Sequence, residues 1–456
     1  MMNMQTNRQY SHLHDKQMRG KTTEWHLSWL GVTIIVVAIF AMLHPIYEAI
    51  VPWYAGMYQF KMNYIGGSSY GFVALPYLLT ISLFLYRQQR RASLSDYFLI
   101  ILTLCYYLPS NVLYLFGNWS NQYYLFHFLS YLSLALLNEL IPNFTFKVSK
   151  KLAFKNKDII RTFAIIIPLS VIIITFSYNG LQINLDLENV YELRSEWSSS
   201  SMPNIFNYYL PYAARITPIL LVITLAQRRV WLSALLIFSQ LVSFSFGGMK
   251  YTLFALVLGI FFFFFGKNIN PKKIIIYFTL FVCVCLVECL IFKEQPPMFT
   301  AYSIRRISFI PNQIGYYFFS FSQTYGYLYF SESFLRGFLD YPYSQAFPHV
   351  IGNYAFGLSD MGANTGLFAE GFSQVGWLAL PIYSTLYILT FRLYSACANG
   401  FKNTSLSYVP LLGVLLYTST ITDGSFFSVL LTQGGILTAL TLIVLSRHIA
   451  KTSNGK

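Results

Sequence analysis

Apolar stretches of about 18 to 25 residues recur along almost the whole chain, separated by short polar or charged turns. At about 1.5 Å per helical residue, each is long enough for the roughly 30 Å hydrocarbon core of a bilayer. The ten-residue alternation of an outer-membrane barrel is absent. The pattern predicts spanning helices over 28–48, 69–86, 96–117, 122–142, 159–179, 205–226, 229–246, 249–266, 273–292, 367–390, 407–424 and 427–446. The expected fold is therefore an all-α polytopic membrane protein, one integral membrane domain over 1–456 with about twelve transmembrane helices. The first 25 residues are polar and the apolar run after them is of spanning length, so no cleavable signal is expected.

Charge orients the bundle. With the N-terminus inside, the basic clusters Arg8 to Lys21, Arg87 to Arg91, Lys147 to Arg161, Arg228 and Arg229, Lys267 to Lys273, Arg392 and Lys402, and Arg447 to Lys456 all fall on the cytoplasmic side. They hold 23 of the 31 basic residues. A wrong span count would invert this bias downstream of the mistake, so the pattern predicts cytoplasmic N- and C-termini. It also accounts for most of the net charge of +14, leaving no basic patch for nucleic acid. Composition agrees: the chain is 55% hydrophobic and 11% charged, against the roughly 25% charged residues of soluble domains. The five cysteines fall within spans or on the cytoplasmic side, so neither a disulfide framework nor a metal site is expected.

Two long excursions are assigned outside, 180–204 and 293–366. The second is too long for a plain connection and too rich in Tyr and Phe for a linker. Interfacial amphipathic helices are expected in it, and a shorter one near Val190 to Trp197.

The orientation rule leaves eight external cations unexplained: Lys61, Arg194, Arg215, Lys250, Lys293, Arg305, Arg306 and Arg336. Arg215 lies within a span, where an unpaired charge costs at least a few kcal/mol. It either faces a polar cavity, or makes a structural ion pair or snorkels to the outer interface. Arg194 either lies beside it or is a solvated loop residue. Lys250 follows Gly247 and Gly248 in a tight turn. Arg305 and Arg306 suit a diphosphate, because guanidinium groups offer planar bidentate donors that stay charged; lipid headgroups would serve them equally. Candidate general bases are Glu370, Asp360 and His349, although Glu370 at a helix start also has a helix-dipole explanation. Asp423 and Glu288 read as structural.

These features together resemble the Wzy-type polymerases of O-antigen and capsule repeat units. The similarity rests on span count, cytoplasmic termini, two dominant external loops with the later one longer, Tyr191 and Arg194, Gly248 to Tyr251, Arg305 and Arg306 ahead of Pro311, and Asp360 to Trp377. It covers roughly residues 185–385. The resemblance implies a glycosyltransferase of the C-type membrane architecture in the bacterial inner membrane, without a cofactor. Its donor and acceptor would be oligosaccharides on undecaprenyl diphosphate, bound at the periplasmic face, and a chain-length regulator would be a partner. Arg194, Arg215, Lys250, Arg305 and Arg306 would hold the diphosphate. An O-antigen ligase is the nearest enzyme alternative and a lipid-linked-oligosaccharide flippase the nearest transporter.

Overall fold

The computed structural model describes residues 26–54, 71–144, 158–180, 202–333, 335 and 337–454, and among them the only regular structure is helical. The helices are α1 (Trp29–Tyr54), α2 (Gly71–Arg91), α3 (Leu94–Phe116), α4 (Asn121–Leu140), α5 (Ile159–Asn179), α6 (Asn204–Ala226), α7 (Val230–Gly247), α8 (Lys250–Phe265), α9 (Pro271–Ile291), α10 (298–325), α11 (Phe347–Phe356), α12 (Leu367–Val375), α13 (Ala379–Cys397), α14 (Val409–Asp423), α15 (Phe426–Leu430) and α16 (Gly435–Asn454).

Eight helical stretches among the described residues are long and apolar enough to cross a membrane: α1, α3, α5, α6, α8, α9, the α12–α13 run and the α15–α16 run. α7 and α14 are apolar but shorter. α2 and α4 carry buried polar residues, Gln88 and Gln89 in one and His127 and Asn138 in the other. Large apolar side chains such as Leu30, Ile34, Ile173, Trp231 and Val257 stand exposed on the outside of the bundle. A soluble protein does not present such a surface over most of its helices, whereas lipid requires it.

Contacts sort the helix ends into two sets. At one end Arg87 and Arg91 pair with Glu139 (2.7 and 3.8 Å), Arg91 pairs with Asp96 (2.9 Å) and Arg229 with Asp158 (2.5 Å). Arg392 donates to the carbonyls of Asn138 (2.5 Å) and Ile141 (3.0 Å), closing the C-terminus of α4. At the other end Gly366 N–H donates to Thr422 O (3.0 Å) and Gln323 to Gln122 (2.6 Å). Each of these contacts joins residues that the charge pattern assigns to one side.

The large excursion departs from the expectation of interfacial helices. α10 runs against α3, α4, α12 and the end of α1 rather than lying along the surface. Ile304, Phe309, Asn312, Phe318 and Phe319 are buried in it. The reason is polar as much as apolar. Asn312 and Gln313 find protein partners inside the bundle, and an interface would leave them no specific ones. Its N-terminus is closed by Glu288, whose carboxylate accepts from the amides of Phe299 (2.8 Å) and Thr300 (2.6 Å) and from the Thr300 hydroxyl (2.6 Å). That is the structural role its sequence position suggested.

Candidate functional site

Arg215 stands in α6 between two prolines. Pro218 has no N–H to give Ala214 O, four residues back, and Gln240 of α7 fills that vacancy (2.9 Å). The helix therefore continues through both prolines and carries Arg215 into the bundle, where it is 6% exposed. Its guanidinium donates to Pro211 O (3.0 Å), Thr420 Oγ1 (3.2 Å) and Gln433 Oε1 (2.5 Å). It also lies over the rings of Tyr251 (4.9 Å) and Tyr417 (5.7 Å). None of these partners is anionic, and no ion pair among the described residues includes it. Its Nε is buried without a hydrogen bond. Of the readings left open by the sequence, the ion pair is therefore excluded within the described residues.

A circuit of contacts leads from Arg215 to the other cations. Tyr251 touches Arg215, and its neighbour Lys250 lies over Tyr302 (5.1 Å). Tyr302 belongs to the same turn of α10 as Arg305 and Arg306. Asp423 is within electrostatic reach of Arg306 and stands one turn beyond Thr420, which returns the circuit to Arg215. The circuit thus links Arg215, Lys250 and Arg306, three of the five cations expected at a diphosphate, with the end of α14, and Arg305 shares the α10 turn with Arg306. The fifth, Arg194, lies outside the described residues, as do Lys61 and Arg336. Arg305 and Arg306 do not form a fork. Arg305 is buried against Tyr54, 3.9 Å from the ring, whereas Arg306 is exposed. Adjacent residues on a helix point in different directions, and this prevents a joint grip.

The turn that carries both arginines is a π-helix, Ala301–Phe309, and it packs against a second π-turn, Thr103–Tyr107 in α3. Widened turns of this kind are rare and concentrate at functional sites. A buried network holds the two together. Asn312 donates its amide N–H groups to Tyr106 O (2.9 Å) and Ser308 O (2.8 Å), which leaves its Oδ1 as acceptor for His127 Nε2 (3.0 Å). The imidazole must then carry its proton on Nε2 and accept from Tyr77 at Nδ1 (3.0 Å). Trp119 Nε1 donates to Gln313 Oε1 (3.1 Å) alongside.

The three expected bases fare differently. Glu370 is buried in the first turn of α12, its carboxyl against the Tyr383 hydroxyl, the Phe426 amide and the Gln374 side chain, with one oxygen left without a hydrogen bond. A helix start and a sealed pocket account for it. His349 is half-buried in α11 near Gly362, and Asp360 is exposed in the following loop. Among the described residues neither is joined to the cations by a hydrogen bond or ion pair. No group of three His, Cys, Asp or Glu able to hold a metal occurs among the described residues.

Sequence reasoning passed over His127 and Asn312, although an ionisable side chain in mid-span is itself a functional signal. The tyrosines facing Arg215 carried no such signal, since 36 tyrosines are spread along the chain.

Away from the cations, an apolar cavity of about 640 Å³ lies between α8 and α9, with Leu258, Phe262, Phe278 and Phe281 in its walls and Leu104 and Leu415 at its back. No protein-family model matches this chain, and no curated protein or solved structure matches it either.

Proposed function

We propose that the chain is an oligosaccharide repeat-unit polymerase of the Wzy type. In this reading it crosses the bacterial inner membrane twelve times with both termini in the cytoplasm, and it works at the periplasmic face on substrates carried by polyprenyl diphosphate. The observation that carries the reading is Arg215, buried among neutral partners beside α14, with a run of contacts leading from it through Tyr251, Lys250 and Tyr302 to the turn of Arg305 and Arg306. A desolvated cation without a carboxylate is a costly arrangement, and an anionic ligand offsets that cost.

The chemistry follows from the charges. A hydroxyl of the acceptor glycan attacks the anomeric carbon of the donor, and the bond to the diphosphate breaks. Negative charge then grows on the leaving diphosphate, where preorganised guanidinium and ammonium donors are most effective. Arg215 is held in place by its own hydrogen bonds, so little reorganisation is needed at that moment. The apolar cavity between α8 and α9 suits part of an isoprenoid tail. Lys250 and Leu258 belong to the same helix, about 12 Å apart by helical rise, so head and tail would follow α8.

Deleting the gene tests the reading on a lipopolysaccharide gel. Core capped by a single repeat unit is the expected product. Bare core would instead indicate loss of a ligase or flippase and would end the polymerase reading.

A further inference from the structure

We propose that Asp423 is the general base of the glycosyl transfer, taking the proton of the acceptor hydroxyl; this rests on the polymerase reading above.

Among the carboxylates that the site contacts reach, Asp423 differs from the others in three respects. First, it is the last residue of α14. A carboxylate there faces the negative end of the helix dipole, a placement that costs stability. Glu370 sits at a helix start and Glu288 closes one, so each has a favourable structural explanation. Asp423 has none of that kind. Second, it keeps an accessible surface although it stands deep among its neighbours and α14 is buried along most of its length. Both oxygens of Glu288 are occupied by Phe299 and Thr300, and Glu370 is sealed under Tyr383 and Phe426. Asp423 makes no ion pair among the described residues. Third, it stands inside the circuit of cations. Arg306 and Tyr106 are within electrostatic reach, and Thr420, one turn below, binds Arg215.

The backbone holds it there. Gly366 N–H donates to Thr422 O (3.0 Å), and a Cβ at Gly366 would stand 2.0 Å from Ile421 O and 2.5 Å from Gly424 O. Only glycine lets the chain before α12 approach the end of α14 this closely. The carboxylate is thus positioned by rigid backbone on both sides.

In the transfer, the acceptor oxygen forms a bond to the anomeric carbon while the bond from that carbon to the diphosphate oxygen breaks. The bonding pair leaves on the diphosphate, which the cations hold. The hydroxyl proton passes to the Asp423 carboxylate and then to water. One carboxylate and a set of cations therefore divide the two charge changes of a single displacement between them.

The test uses the purified full-length protein in nanodiscs with undecaprenyl-diphosphate-linked repeat units, comparing wild type, D423N and D423E. Loss of a general base lowers kcat by about 10²–10⁴-fold. D423N is expected to show that loss with the donor KM within about twofold of wild type, and D423E to recover part of the rate. Undecaprenyl diphosphate binding to D423N, measured separately, reports whether the variant is folded. A kcat within about threefold of wild type overturns the assignment. So does a raised KM with unchanged kcat, which would make Asp423 a positioning residue for Arg306. A wild-type protein that joins no repeat units removes the polymerase reading, and this assignment with it.

Discussion

Replacing Arg215 by methionine separates a ligand-binding role from a structural one, because the two predict opposite effects on the unliganded protein. Methionine keeps much of the length of the side chain and removes the charge. The partners left behind are few. Pro211 O still serves the helix ladder, and Thr420 still donates to Leu416 O (3.0 Å), so only Gln433 Oε1 loses its donor. Leaving this half-buried acceptor unsatisfied costs at most the roughly 1–3 kcal/mol of a fully buried one. Removing a charge from the interior of a span relieves about 2.5–3.5 kcal/mol on insertion scales. The two nearly cancel, so R215M is expected to unfold within about 2 kcal/mol of wild type. Its ligand affinity should change far more. One charge-assisted hydrogen bond to a diphosphate contributes about 1.5–3 kcal/mol, which is a loss of about 10- to 150-fold in Kd. The assay is thermal unfolding of the purified protein with and without undecaprenyl diphosphate. Wild type should be stabilised by the ligand, whereas R215M should melt near the unliganded wild type and show little ligand shift. A variant that is severely destabilised yet binds undecaprenyl diphosphate normally would refute the argument and make Arg215 a structural tether.

Three further expectations follow from other parts of the bundle. Asn312→Leu removes the acceptor of His127 and the donor to Tyr106 O. It should lower stability by about 2–3 kcal/mol in thermal unfolding and weaken undecaprenyl diphosphate binding, since it frees the π-turn that carries Arg305 and Arg306. Glu370→Ala leaves the Phe426 amide and the Tyr383 hydroxyl facing an apolar methyl, a loss of about 1–3 kcal/mol. Glu370→Gln, which keeps an acceptor oxygen without burying a charge, should melt close to wild type. In a cysteine-free background, Asp360→Cys in spheroplasts should react with a membrane-impermeant maleimide and Lys402→Cys should not; the reverse result would invert the proposed topology.

The helices were legible in the chain because lipid permits so few alternatives. A long apolar segment in hydrocarbon must satisfy its backbone internally, and among the described residues helix covers most of each expected segment, eight stretches being long and apolar enough to span, although a turn at 431–434 interrupts the last segment. Span 1 extends to Tyr54 rather than ending near residue 48, because Val51 and Tyr54 pack inside the bundle and continue the helix past its apolar run. The fate of 293–366 was not legible. Its aromatic, mixed-charge composition fits an interface as well as a core, and the decision fell to partners remote in sequence, such as His127 and Tyr106 for Asn312.

The candidate site divides in the same way. Charge bookkeeping against the orientation rule was enough to single out Arg215, Lys250, Arg305 and Arg306, since that rule depends on sequence order alone. Which carboxylate accompanies them was beyond its reach. Glu370 and Asp423 both stand near the ends of helices in the sequence, yet one is enclosed by Tyr383 and Phe426 and the other is open beside Arg306. Enclosure depends on how α12, α13 and α14 pack, and packing is a property of surfaces brought together from distant parts of the chain. The sequence by itself therefore determined the helices and a short list of cations. Only the tertiary structure decided which of those charges meet, because the contacts that join them are long-range.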